Sequence, residues 1–328
     1  MRWVISGSGA LFCGGCFFNS FFGANILMLV LSKTVYIICG PTGAGKTAIA
    51  IQLAQRLGTA VISADSRQCY TEMTIGTAKP SPAELKVVKH YFIDEFPVTR
   101  FLSAADFELM ALNYLDEIFA THDAAIVCGG TGLYIKALCD GLDEMPPTDP
   151  VVVRHITDEY SLRGFEWLRE AVKKEDPEFY SRGEIHNPAR MLRALSFIRT
   201  TGTSILQHRT ETKKQRSFNI IKAGLELPRE ILYSRINERT DKMMEQGLLA
   251  EVEKLYPYKA LKNLQTVGYS ELFEYMDGEM NLPEAVDKIK QHTRNYAKRQ
   301  LTWFKKDKDI KWYNANDNNL AEKISALS

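Results

Sequence analysis

The chain is poor in cysteine, with six in 328 residues, and their scatter does not resemble a secreted disulfide framework; a reducing compartment is expected. Cys39 and Cys128 fall inside apolar, strand-like runs, where a thiol behaves as a small hydrophobe. Cys13 and Cys16 form a C-x-x-C pair, but no second Cys or His pair stands at zinc-site spacing, which argues against a metal centre there. Charge is missing locally as well, since no charged residue occurs between Arg2 and Lys33. Such a gap admits a membrane anchor or signal peptide. Against that, an apolar strand begins near Thr34 and leaves almost no linker, so the adopted expectation is a start at Met28, with residues 1–33 a non-native or disordered extension and no membrane association. Repeats and low-complexity tracts are absent. A strong overall charge is lacking too, but the net +1 hides an asymmetry: Val286 to Asn314 carries nine Lys or Arg against three Asp. A near-neutral total therefore does not exclude a nucleic-acid partner.

What is present is ordinary globular material, 45% apolar and 25% charged, long enough for a full core in two domains or in one domain with an insertion. The most informative stretch is "VYIICGPTGAGKTAIAIQLAQRL", Val35 to Leu57. Its loop fits G-x-x-x-x-G-K-[ST] with Gly40, Pro41, Thr42, Gly43, Ala44, Gly45, Lys46 and Thr47, following a β-branched apolar run and opening an amphipathic helix. Glycines let backbone N–H groups converge on phosphate oxygens, the helix N-terminus adds partial positive charge, Lys46 neutralises, and Thr47 can ligate Mg²⁺. The motif is the nucleotide-binding and ATP-binding loop of kinases, yet it identifies phosphates and leaves the rest of the ligand open.

Further along, "TAVISADS" reads as a strand ending at Asp65, "HYFIDEF" as a shorter extended piece ending near Asp94, and "DAAIVCGGTGLYIKAL" as a buried strand, glycine turn and helix start. Strands alternating with helices imply a doubly wound α/β parallel sheet, in which ligands sit beyond the carboxyl ends of the strands. That places Asp65, Gly129, Gly130 and Thr131 beside the phosphate loop. The proline-rich break "GLDEMPPTDP" precedes a polar, helical segment, and strand character returns in "SFNIIKAGLELP". The expected organisation is a core of residues 34–150 and 215–328 with a helical insertion at 151–214. The C-terminal part reads as helical, with Val286, Ile289, Tyr296, Leu301 and Phe304 on a buried side and Lys290, Arg294 and Lys298 on a basic one.

A standard NTPase ends a buried strand with an aspartate that helps hold Mg²⁺, but "AAIVCGG" ends in glycines followed by Thr131. The phosphate-binding half of such an enzyme is present, while part of the hydrolytic half is replaced by a polar pocket. Taken in order, "GPTGAGKT", "ISADSRQCY", "IGTAKP", "GGTGLYIKAL", "VGYSEL" and "AKRQLTWFKK" resemble the tRNA dimethylallyltransferase family from about Leu29 to Tyr313. The resemblance implies a P-loop-kinase-related sheet with flanking helices and an inserted helical domain, whose loop holds the diphosphate of dimethylallyl diphosphate with Mg²⁺. It also implies transfer of the prenyl group to N6 of the adenosine just 3′ of a tRNA anticodon, by a cytoplasmic enzyme expected to be monomeric. No Cys/His module follows Tyr313, so the bacterial type fits.

Carried over by motif, Asp65 is similar to the family's general base; a strand-end carboxylate could also cap its own loop or assist Mg²⁺. Thr131 resembles the threonine at the diphosphate bridge, although threonine after glycines is also a common helix cap. Arg235 and Arg239, four residues apart on one helix face, look like cationic partners of the diphosphate. His90 matches a family histidine and is read as structural. An anticodon-loop adenine must be extruded before it can react, and Ser66, Arg67 and Gln68 lie beside that presumed base. "ARMLR", with Arg190 and Arg193, and "TVGYSE", with Thr266, Gly268 and Tyr269, resemble tRNA contacts, with Arg154 a further one and Arg294 and Lys298 on the basic helix. Two departures stand out: Ala189 occupies a position where glutamine is common, and Arg154 comes one residue later than the usual spacing. The competing readings are a small-molecule or nucleoside kinase, which the loop alone would suit, and a non-catalytic RNA-binding protein, which the basic helix and nearby aromatics would suit.

Overall fold

The structure is a computed structural model that describes residues 33–210 and 212–327; the expectation for residues 1–27 and their start at Met28 lies outside these residues, as do Cys13 and Cys16. Six strands are β1 (Thr34–Cys39), β2 (Val61–Ser63), β3 (His90–Tyr91), β4 (Ala124–Gly129), β5 (Asn219–Glu226) and β6 (Lys311–Asn314). They form one sheet in the order β3-β2-β4-β1-β5-β6, and every pairing is parallel.

The centre of the sheet explains the apolar run of the first motif. All six residues of β1 are buried, because helices cover both faces, as parallel sheets require. Val35, Ile37 and Cys39 face one apolar cluster, while Tyr36 and Ile38 face the other, the alternation that a strand's period of two dictates. Burying each such aliphatic side chain contributes about 1.5–3 kcal/mol. The second face is covered by α1 (Lys46–Leu57) and a short C-terminal helix, Leu320–Ser325. The first face packs against α3 (Ala104–Phe119) and α4 (Gly132–Asp140), whereas α2 (Pro82–Val87) lies against α1.

After β4 and α4 the chain enters α5 (Pro150–Glu175), α6 (Pro177–Arg182) and α7 (Pro188–Thr201). α5 breaks at Gly164, whose φ of 77° and ψ of −169° are not helical. These helices share their own apolar cluster, including Ile156, Leu168, Val172, Phe179, Met191 and Leu195. Asp176, 1% exposed, joins them: one carboxylate oxygen accepts the Phe179 N–H at the start of α6 and the other accepts the Ser204 hydroxyl. Beyond β5 come α8 (Arg229–Glu245), α9 (Leu248–Leu255), α10 (Ser270–Met276) and α11 (Leu282–Phe304), and the short Leu320–Ser325 helix is α12.

Two expectations for this half need correction. The C-terminal part is not wholly helical, because β6 adds a parallel edge strand to β5. Its four residues are half-buried or exposed, so they carry no hydrophobic periodicity to announce a strand. On α11, the buried seam runs through Ala285, Ile289, Ala297, Gln300 and Phe304; Val286, Tyr296 and Leu301 are only half-buried. Packing against α4, α8 and α10 turns the helix so that a glutamine, not a leucine, faces inward.

Candidate active site

The carboxyl ends of β1, β2 and β4 meet at one cavity of about 290 Å³. β4 ends in glycine for a steric reason, since a Cβ on Gly129 would lie 2.1 Å from the Ala64 carbonyl oxygen. That close approach sets the turn at Gly130–Thr131 beside the loop that begins at Asp65. Thr131 N–H donates to the Ala64 carbonyl at 3.2 Å, and the Thr131 hydroxyl oxygen accepts the Ser66 N–H at 3.1 Å. Thr131 stands at the N-cap position of α4, but its side chain makes no capping bond; its hydroxyl is committed to the Ser66 N–H, and Thr131 sits behind the cavity-lining Gly129 and Gly130 without lining the cavity itself. No carboxylate follows β4, and the nearest strand-end acid is Asp65 after β2.

On the phosphate-loop side, Thr42, Lys46 and Thr47 line the cavity, while Gly40, Pro41, Gly43, Ala44 and Gly45 supply backbone, with Gly45 as the N-cap of α1. Lys46 Nζ donates to the Pro41 carbonyl at 2.8 Å, leaving two ammonium hydrogens. Desolvation lowers the Lys46 pKa, while the nearby Cys128 and Asp65 oppose that shift and Arg239 adds to it. Arg239 on α8 also lines the cavity; one of its Nη atoms lies 3.4 Å from the Thr42 hydroxyl. Burial lowers its pKa too, with Asp65 pulling the other way. Two cations and one carboxylate thus face the same space.

Asp65 lines the same cavity. One of its oxygens accepts the backbone N–H of Arg67 at 2.9 Å and, more weakly, that of Gln68 at 3.4 Å; the second oxygen makes no hydrogen bond within the described residues. The carboxylate therefore caps its own turn and still presents a free acceptor to the cavity. Arg67 also lines it, with a buried Nε that has no hydrogen-bond partner. Gln68 is differently employed: its amide nitrogen donates to the Thr77 and Ala78 carbonyls, and its oxygen accepts from Ser63. Those bonds hold Ala78 at a φ of 46°, a left-handed conformation that costs roughly 1–3 kcal/mol. Gln68 thus shapes the wall and has no donor left over for a base.

The same wall is held from α9. Glu251 accepts the N–H groups of Thr74, Ile75 and Gly76 and the hydroxyl of Tyr269. Tyr269 is fully buried with its ring against Gly76, and it lines the cavity from the core side. Thr266 and Gly268 do line the cavity, and the Gly268 N–H is taken by the buried Glu271 carboxylate, which also bonds His292 Nδ1 at 2.6 Å. His90 reaches the cavity as well; its Nδ1 bonds the Val88 carbonyl at 2.8 Å, and desolvation lowers its pKa, favouring the neutral ring.

Other expected residues lie elsewhere. Arg235 shares the helix face of Arg239 but faces a neighbouring groove with Lys79 and Lys242, and it donates to Asn316 at 2.8 Å. Arg154 on α5 and Arg190 and Arg193 on α7 are exposed and do not line the cavity; Arg190 pairs with Glu184. The basic side of α11 is largely engaged, because Lys290 pairs with Asp241 at 2.6 Å and Arg294 donates to Asn237 at 2.7 Å. Lys298 is exposed and makes no ion pair among the described residues. The sequence reading did not pick out Glu251 or Gln300, and it named Tyr296 only as part of a buried helix side. Gln300 sits on the i, i+4, i+8 series with Phe304 and Tyr296, and that spacing was the available signal.

A glycine-rich strand-to-helix loop, a strand-end carboxylate and two desolvated cations around one cavity of a parallel sheet are the arrangement of an α/β transferase site. The chain belongs to the IPP transferase family, whose model matches residues 68–307. It is 43% identical over 280 residues, 85% of this chain and 91% of the relative, to tRNA dimethylallyltransferase 1 of Bacteroides thetaiotaomicron. It is 44% identical over 290 residues, 88% of this chain and 95% of the relative, to the tRNA dimethylallyltransferase of Cytophaga hutchinsonii. Among solved structures, the tRNA isopentenylpyrophosphate transferase of Bacillus halodurans superposes with a TM-score of 0.65 at 35% identity, covering 90% of this chain and 94% of its own. A eukaryotic dimethylallyltransferase acting on tRNA gives a TM-score of 0.72 at 25% identity over 90% of this chain and 77% of its own. The chain is therefore a prenyltransferase of tRNA modification with the α/β fold expected of it, and the kinase and non-catalytic readings are not favoured.

Proposed function

We propose that the protein transfers the dimethylallyl group of dimethylallyl diphosphate to N6 of the adenosine 3′-adjacent to the anticodon of tRNA, releasing diphosphate. The observation that carries this reading is that Lys46, Thr47 and Arg239 line one cavity together with Asp65, whose second oxygen makes no hydrogen bond within the described residues. N6 attacks the first carbon of the prenyl group, and a C–N bond forms as the C–O bond to the diphosphate breaks. The bonding pair leaves on the diphosphate oxygen, where the backbone amides of the loop, Lys46 and Arg239 stabilise the growing charge. In this reading the Thr131 hydroxyl, which holds the Ser66 N–H beside Asp65, donates to the departing bridge oxygen. The N6 proton passes to Asp65, which then carries it to solvent.

Mg²⁺ fits this site as a partner of the substrate rather than of a protein cage. Among the described residues no group of three or more His, Cys, Asp or Glu side chains could hold a metal, whereas Mg²⁺ commonly uses one or two protein oxygens together with phosphates and water. The Thr47 hydroxyl would be such a ligand. When bound, the ion would neutralise diphosphate charge.

No helix of the described residues is long and apolar enough to cross a membrane. We place the enzyme in the cytoplasm as a monomer, because its substrates are a charged prenyl donor and the anticodon stem-loop. Incubating unmodified tRNA with the protein, Mg²⁺ and dimethylallyl diphosphate should yield a prenylated adenosine in the nucleoside digest. A digest without that nucleoside, or phosphate transfer from ATP in the absence of prenyl donor, would overturn the reading.

Lys298 on α11 makes a separate prediction. Lys298→Ala should weaken tRNA binding and reduce the slope of log K against log salt by about one, through one lost phosphate contact. Arg294→Ala is a poorer probe because it also removes the Asn237 bond. An unchanged slope for Lys298→Ala would make that face an ordinary solvated helix surface.

A further inference from the structure

Gln300 is 6% exposed and lies where three elements converge. Its Oε1 accepts the Thr42 N–H of the phosphate loop at 2.8 Å, and its Nε2 donates to the Gly130 carbonyl at 2.8 Å. The two partners fix the orientation of the amide, since Thr42 N–H can only donate and the Gly130 carbonyl can only accept; the reversed amide would leave both buried groups facing like partners. The turn is shaped to admit this side chain, because a Cβ on Gly130 would fall 2.2 Å from Gln300 Nε2. From Gly130 the chain passes to Thr131, whose hydroxyl oxygen takes the Ser66 N–H next to Asp65. A continuous path thus runs from the loop that holds the leaving group, through one amide, to the turn that carries the proton acceptor.

We infer that Gln300 is a positioning residue for prenyl transfer, setting the separation between the diphosphate loop and the Asp65–Thr131 side of the cavity. The inference rests on the transfer reaction proposed above. Gln300 touches neither substrate in this role; it acts through Thr42 on one side and through Gly130 and Thr131 on the other. Removing it leaves the loop's phosphate-facing amides and the RNA-facing residues in place, but frees the two halves to drift. A displacement near 1 Å at the reacting atoms costs on the order of 10²-fold in rate.

The test uses the full chain and two variants. Gln300→Met keeps volume and removes both hydrogen bonds. Single-turnover prenylation of saturating tRNA should fall roughly 10- to 100-fold, while the donor KM and tRNA affinity stay within about threefold of wild type. Gln300→Glu separates positioning from packing. As a neutral acid, the glutamate offers one O–H to Gly130 and one carbonyl to Thr42, matching the amide; as a carboxylate, it sets a negative oxygen against the Gly130 carbonyl. Asp65, Arg67, Lys46, Arg239, His90, Cys128, Tyr269 and Tyr296 line the same cavity, so the quantity read is the variant rate divided by the wild-type rate at each pH, in which the titrations common to both proteins cancel. That ratio should rise as pH falls. A Gln300→Met rate within twofold of wild type would overturn the inference, as would an equal loss of donor affinity and rate. Should Gln300→Met fail to fold, the ratio for Gln300→Glu decides alone, and a flat ratio overturns the inference. Absence of prenylated nucleoside with the wild-type protein would instead remove the underlying reaction, and the inference with it.

Discussion

Asp65→Asn should lower kcat for tRNA prenylation by roughly 10² to 10⁴ while leaving the affinity for an unreactive donor analogue nearly unchanged. The substitution is unusually clean here, because the oxygen that accepts the Arg67 and Gln68 N–H groups has an equivalent in the asparagine amide. The turn after β2 therefore survives, and with it Ser66 on the Thr131 hydroxyl. What is lost is the second oxygen as a proton acceptor, together with the negative charge opposite Lys46 and Arg239. If Asp65 served chiefly to organise Mg²⁺, analogue affinity would collapse with the rate, and added Mg²⁺ would restore both. Single-turnover kinetics beside an analogue titration separates the two outcomes. A variant with near-normal turnover would remove Asp65 from the mechanism.

The parts of this site that were legible in the sequence are those where local chemistry and global position agree. β1 reads as a central strand because a parallel sheet covered on both faces needs an uninterrupted apolar run, and Val35 to Cys39 supply it. The loop after it is legible because closely packed backbone amides need glycines at fixed offsets. Asp65 is legible as the polar end of a buried strand. The same logic recognised that β4 ends in Gly129 and Gly130 instead of an acid, and the structure adds the reason: Ala64 approaches too closely for any side chain at Gly129.

What could not be read depends on tertiary packing. Gln300 was passed over in favour of Leu301 because hydropathy ranks leucine inward, yet burial of two backbone groups at the loop makes an amide the stabilising choice at that point. Lys290, Arg294 and Lys298 read as one basic helix face because charge at helical spacing normally faces water; α8 brings Asp241 to Lys290 and Asn237 to Arg294. Tyr269 was named only through its motif, and what the motif does not show is that Glu251, eighteen residues earlier on α9, takes its hydroxyl. β6 escaped notice because an edge strand of four residues with no buried face has no period to detect.

Lys46→Met should reduce affinity for dimethylallyl diphosphate by roughly 10² to 10³, a larger loss of binding than any other single change at the loop. Methionine retains the length of the stem but brings no charge to the leaving group, so transition-state stabilisation falls as well and kcat drops with affinity. The pH dependence identifies the cause. Burial lowers the Lys46 pKa below its ordinary value, so the free protein binds the anionic donor well below that lowered pKa and progressively less well above it. Wild-type donor affinity should therefore show an alkaline decline that begins below the usual lysine range, and Lys46→Met should lack it. The sign for stability is the reverse. Between the lowered folded pKa and the unfolded one, the unfolded chain holds more protons, so unliganded wild type gains stability with rising pH across that interval, whereas Lys46→Met loses this contribution. Donor titration by calorimetry and thermal unfolding, each run on both proteins across the alkaline range, measure the two slopes. An alkaline decline in donor affinity that persists unchanged in Lys46→Met would assign it to another group and remove Lys46 as the charge that holds the diphosphate.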